Sequence, residues 1–193
     1  MLVSSKNLNF KKKSSLVAFA VILSFLGLND SVYGSKHSHH HGSMDSKMSS
    51  SMKRIHLKKV TRDELLDVFK MNDNLHQAFF KYDGKEVENA ARRLVYAISQ
   101  VSEKEIGKLL KFSKTKLVEI KASKNREENN QNYHLVSMAL IHVLKKYDVG
   151  KDFNAFSCPM VKKKWIQNTK REAKVNNPYA SEMPLCGSQD SKY

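Results

Sequence analysis

The side chains best suited to chemistry are the sulfurs of two short elements near the C-terminus, Cys158-Pro159-Met160 and Met183-Pro184-Leu185-Cys186. Thiolate and thioether sulfur are soft donors that favour Cu(I) or Ag(I) over hard cations. Neither element makes a site alone, since two sulfurs leave most metals under-coordinated. Brought together, Cys158, Met160, Met183 and Cys186 offer four and form a candidate metal site. The alternative is a disulfide between Cys158 and Cys186 that pins this segment, with both methionines as packing residues. Closing a loop of that length stabilises a fold by about 3 to 4 kcal/mol in the chain-entropy model. The two arrangements are also compatible with one another as oxidised and reduced states.

A second set of donors lies near the N-terminus, where His37, His39, His40 and His41 carry imidazoles suited to Cu(II), Zn(II) and Ni(II). Were the chain to begin at Ser35, its free amine, two backbone nitrogens and the His37 imidazole would enclose Cu(II) in a square plane. Met44, Met48 and Met52 follow at constant spacing; a disordered linker with accidental spacing is their plainer reading. His134, Met138 and His142 stand four residues apart, so on a helix they form a slowly drifting stripe. They are candidate ligands, with ordinary partly exposed side chains as the alternative. His56 and His76 have no partner in sequence and are expected at the surface. Copper is the expected ion, Cu(I) at the C-terminal sulfurs and Cu(II) at the histidines, with silver or zinc as variants.

Catalytic signatures are missing from the sequence: no Gly-rich phosphate loop, no zinc-protease helix motif, no haem-attachment motif and no nucleophile elbow. No catalytic residue and no bound organic cofactor is therefore expected, and the protein reads as a binder and not an enzyme.

These residues need elements to position them. Lys6, Lys11, Lys12 and Lys13 precede an apolar run over 16–28, the layout of a signal peptide. The run is shorter than the roughly 20 apolar residues of a membrane span. Val32 and Gly34 place cleavage before Ser35, which removes four lysines and Asp30 and lowers the formal charge from +15 to +12. A periplasmic or secreted location follows. There, a basic surface points to acidic partners, anionic surfaces or simple solubility, and not to nucleic acid. Membrane contact is expected only through that attraction.

Residues 35–60 read as a disordered His/Met tail. From Thr61 helical periodicity begins, with capping-box spacing at Thr61/Glu64 and again at Ser102/Glu105. Four apolar stripes follow: Leu65 to Tyr82, Val87 to Val101, Ile106 to Ile120 and Tyr133 to Tyr147. The short links between them predict an all-α, antiparallel four-helix bundle over 61–149. An irregular Cys/Met flap is expected over 150–187, with at most a short extended piece at 153–156, and a disordered end over 188–193.

The order Cys158-Pro159-Met160, Trp165, Asn177-Pro178-Tyr179, Met183 and Cys186-Gly187 resembles the signature of a bacterial family of domains of unknown function. Its members occur alone behind signal peptides, or fused to periplasmic adaptor subunits of copper and silver efflux pumps. Tyr133 and Ser137 also fall where that family places an aromatic residue and a serine. Ala180 and Ser181 depart from it, standing where an aromatic residue and glycine are usual. The resemblance implies a helical domain with a cysteine-bearing tail and a role near heavy-metal resistance, with an efflux adaptor or another periplasmic metal carrier as partner. It carries Cys158, Met160, Met183 and Cys186 over as metal-site residues, and Trp165, Asn177, Pro178 and Tyr179 as scaffold. Two functions stay open: a copper or silver binder, and a disulfide-stabilised basic adaptor for an acidic partner or envelope surface. Intact-mass measurement on the exported protein should find Ser35 as its first residue; a chain that keeps 1–34 would overturn the leader assignment.

Overall fold

The computed structural model describes residues 53–191. The leader, His37, His39, His40 and His41, and Met44, Met48 and Met52 lie outside the described residues. Four helices come first in the described chain: α1 (Lys59–Phe80), α2 (Gly84–Ser99), α3 (Lys104–Val118) and α4 (Arg126–Lys146). Each packs on the next in sequence, as links of only a few residues require. The stripes read from the sequence turn inward: Leu65, Val68, Phe69, Leu75 and Phe79 of α1 pack with Val87, Leu94, Ile106, Leu110, Leu117, Val136, Leu140 and Leu144.

The caps differ from the expected ones. Thr61 is buried inside α1, whose N-cap is Lys58 with no side-chain hydrogen bond. Glu64 instead accepts from both the backbone N–H and the hydroxyl of Ser102, each at 2.9 Å, tying α1 to the start of α3. Ser102 is thereby engaged elsewhere, and Glu103 caps α3. The reciprocal capping box belongs to α4, between Asn125 and Glu128. Asp83 caps α2 by accepting from Glu86 N–H at 2.8 Å.

The all-α expectation is corrected by a small antiparallel sheet of order β2-β1-β3, formed by β1 (Phe153–Cys158), β2 (Lys163–Asn168) and β3 (Ser188–Gln189). In β1 the run Phe153, Asn154, Ala155, Phe156 is buried throughout, so the alternation that marks a one-sided strand is absent. In β2 the buried residues include Lys163 and Gln167, which a hydropathy pattern assigns to a loop. The first part of the expected irregular flap, over 153–168, is thus a hairpin in which Phe156 faces Trp165 and Cys158 faces Lys163, while 169–187 is irregular as expected.

Residues within both expected disordered margins make backbone pairings. At one end β3 pairs with β1, and the following Asp190 N–H donates to Ala155 O at 2.8 Å. The Asp190 carboxylate takes the Lys164 ammonium at 2.8 Å. At the other, Ile55 forms a parallel bridge with Tyr147, and Arg54 pairs with Asp148 at 3.2 Å. Residues 54 and 55 are therefore held against the end of α4, where the Ile55 N–H donates to Lys146 O and its carbonyl accepts from the Asp148 N–H, each at 2.9 Å. Among the described residues no helix is long and apolar enough to cross a membrane.

Gly187 joins the disulfide loop to β3 at φ +141°, and a Cβ there would lie 2.7 Å from the Trp165 ring and 2.8 Å from Ser157 O. Both backbone conformation and space demand glycine. Gly187→Ala should cost about 2 to 4 kcal/mol, read as a lowered urea midpoint; an unchanged midpoint would mean β3 can detach without consequence for the fold.

Candidate functional site

The sulfur elements do converge. Cys158 ends β1 and Cys186 precedes β3, and the pairing of both strands brings their Cα atoms to 5.8 Å, where they form a disulfide. Cys158 is buried, and Cys186 is partly buried against the core. The two methionines point outward, Met160 with 69% and Met183 with 42% of its surface exposed. Of the four sulfurs, then, two are bonded to each other and two face solvent.

The loop over 177–187 is held from inside by Asn177. Its N–H donates to Pro184 O at 2.7 Å, its side-chain amide donates to Cys186 O at 2.9 Å, and its side-chain oxygen accepts from Tyr179 N–H at 2.9 Å. Turns at Met183 and Cys186, each bonded three residues back, close the remainder. Asn177, Pro178 and Tyr179 therefore shape the cysteine-bearing loop. Tyr179 then docks it: its hydroxyl lies 3.0 Å from Ser137 Oγ on α4 and donates to Lys164 O on β2 at 3.2 Å.

Trp165 forms the floor of this lobe. Its indole N–H donates to Gln167 Oε1 at 3.3 Å, and Gln167 in turn accepts from Asn176 N–H and donates to the carbonyls of Glu172 and Lys174. Gln167 thus has both its amide oxygen and nitrogen engaged, as a buried polar group requires, and ties the irregular stretch over 172–176 to β2.

The α4 candidates separate. His134 is drawn into the lobe, with Nδ1 3.3 Å from the Lys164 N–H and its ring edge-on to Tyr179 at 5.9 Å. Burial, and then the nearby Lys163 charge, lower its pKa, while the Lys164 backbone opposes them. Met138 and His142 are exposed on α4. Among the described residues no three histidine, cysteine or carboxylate side chains stand together as a metal-binding group. His56 is exposed and lies 3.3 Å from Asp148.

His76 corrects its surface assignment, being wholly buried on α1. Spacing offered the signal: Phe69, Asn72, His76 and Phe79 recur every three or four residues and share the inward face of α1. Neither ring nitrogen has a well-formed hydrogen bond, and nor do Asn72 Oδ1, Asp73 Oδ1 and the Tyr133 hydroxyl. The other Asp73 oxygen takes Arg171 at 2.9 Å. Burial raises the Asp73 pKa against that pairing.

No family model, curated protein or solved structure matches the chain.

Burial pushes the His76 pKa from 6.5 down to about 4, opposed in part by the backbone of Asn176 and Ile166. The unfolded chain therefore takes up a proton below about pH 6.5 that the folded chain refuses until about pH 4. This contribution to stability is present above that window and is lost as pH falls through it, by about 3 kcal/mol in total. Urea titrations between about pH 7 and pH 4.5 should show that slope. His76→Gln, whatever its absolute stability, should show a shallower one; parallel curves would assign the acid sensitivity to other groups.

Proposed function

We propose that the protein is an exported copper- or silver-binding domain that sequesters the ion or passes it to an efflux component. The carrying observation is the meeting of two cysteines 28 residues apart in sequence, in a lobe that also carries solvent-facing Met160 and Met183. In the oxidised form the cysteines have no thiolate to offer. Two electrons and two protons from a thiol reductant open the bond to two thiols, and a bound Cu(I) then displaces the protons. The pair thus fits a soft cation as a redox-gated site, closed as the disulfide and competent when reduced. Of the described imidazole candidates, His134 touches β2, the strand paired with the Cys158-bearing β1.

Support also comes from the resemblance of Cys158-Pro159-Met160 through Cys186-Gly187 to a family tied to copper and silver efflux, and from the His/Met-rich segment ahead of the described residues. The expected division of labour is capture by His37, His39, His40 and His41 and tighter Cu(I) holding at the cysteines. Binding, not turnover, is the proposed activity.

A second reading is favoured by the disulfide itself: a permanently oxidised, basic adaptor that docks on an acidic partner or envelope surface. Thiol titration of protein taken anaerobically from its native compartment separates the two, free thiols supporting the metal site and their absence the adaptor. Reduced protein should hold Cu(I) orders of magnitude more tightly than the Cys158→Ser/Cys186→Ser variant, whose helices persist by circular dichroism despite a loss of about 3 to 4 kcal/mol. Equal Cu(I) affinity of the two in a competition assay would remove the cysteines from the proposal.

A further inference from the structure

The helices do not share their charge evenly. Over its 15 residues α3 carries five lysines against one glutamate, a net +4, whereas α1 is net −1 and α2 and α4 are net +1 each. Ile106, Leu110, Ser113 and Leu117 occupy the buried side of α3, so helical geometry sets Lys104, Lys108, Lys111 and Thr115 on the opposite side. Lys108 is paired with Glu105 at 2.8 Å. Among the described residues Lys104 and Lys111 form no ion pair.

Gly107 sits among these lysines. Glycine inside a helix is about 1 kcal/mol less favourable than alanine, and nothing lies within 4 Å of where its Cβ would be. Packing does not require it. What its missing side chain leaves is the floor of a hollow of about 590 Å³ lined by Lys104, Lys108, Lys111, Lys114 and Thr115. Phe112 and Val118 on the same helix are 51% and 55% exposed.

We infer that the outer face of α3 is a docking surface for anionic phospholipid, with lipid phosphates seated in the lysine-lined hollow. Ammonium groups on flexible stems reach phosphates while apolar side chains beside them enter the headgroup layer. The helix has no free backbone edge on which an extended acidic peptide could form a ladder, so a bilayer suits this convex face better than such a chain. The inference is independent of metal binding and gives the adaptor reading a location.

The test uses protein isolated from its native compartment and vesicles of equimolar phosphatidylglycerol and phosphatidylcholine, with pure phosphatidylcholine for comparison, in about 0.1 M salt. Wild type should sediment with the anionic vesicles only. Lys104→Gln/Lys111→Gln/Lys114→Gln should weaken this by roughly a hundredfold, since each lysine near an anionic surface contributes about a factor of five. Gly107→Gln, which fills the hollow while improving helix propensity, should weaken it several-fold with an unchanged or higher melting temperature. The equally charge-depleted Lys59→Gln/Lys70→Gln/Lys85→Gln control should retain most binding. Equal loss in both triple variants would show diffuse attraction and overturn the assignment to α3 while leaving the adaptor reading intact. Failure of wild type to bind vesicles, or its release by inorganic phosphate at low millimolar concentration, would overturn the bilayer as occupant.

Discussion

The joint on which the rest of the structure depends is made at Tyr179. Its hydroxyl bridges Ser137 on α4 and the Lys164 carbonyl on β2, and its ring touches those of Tyr133 and Trp165. Aromatic contacts run on from there in both directions, through Tyr133 to Phe79 on α1 and through Trp165 to Phe156 on β1. Helices and sheet thus share one core. Aromatic packing supplies the buried area, and the hydroxyl's directional bonds fix where the sheet lands on it. Burial raises the Tyr179 pKa well above its ordinary value, so the hydroxyl keeps its proton and its capacity to donate.

The disulfide acts through that joint. It closes the segment that carries Tyr179 and Asn177, which restricts the unfolded chain more than it tightens the folded one. Around it the polar interior is unevenly satisfied: the side-chain amides of Gln167 and Asn177 are engaged at both oxygen and nitrogen and shape loops, whereas Asn72, His76 and Tyr133 leave polar atoms without a well-formed hydrogen bond. Loop geometry in this lobe is therefore well specified, while the interface under α1 holds a neutral histidine at a cost that grows in acid.

How much was legible in the residues varied with the range of the interaction involved. The four amphipathic stripes were readable because a helix satisfies its own backbone and needs only one apolar face; Val87, Ala90, Leu94 and Ile98 sit inside as their spacing implies. The caps expected at Thr61 and Ser102 are absent because Thr61 is buried within α1 and Ser102 is engaged by Glu64, 38 residues away. The sheet was illegible because β1 and β2 are short, largely buried and carry polar residues that partners beyond the strands satisfy, Asn154 through Thr169 and Gln167 through the carbonyls of Glu172 and Lys174, while β3 is only two exposed residues long. At the candidate site, the cysteines were visible by type and the resemblance marked Asn177, Tyr179 and Trp165 as scaffold, but nothing local could show that Met160 and Met183 turn outward or that His134 turns in.

By itself the sequence determined the helical periods, the basic charge and its concentration between Lys104 and Lys116, and the presence of two cysteines with methionines nearby. Those properties are local or additive, so they survive without knowledge of what lies opposite each residue. Only the tertiary structure decided that Cys158 and Cys186 meet, that His76 is buried and neutral, and that the C-terminal segment is a sheet docked through Tyr179. Each of these depends on which distant groups share a volume from which water has been removed, and desolvation and pairing energies are set by that neighbourhood and not by the residue alone.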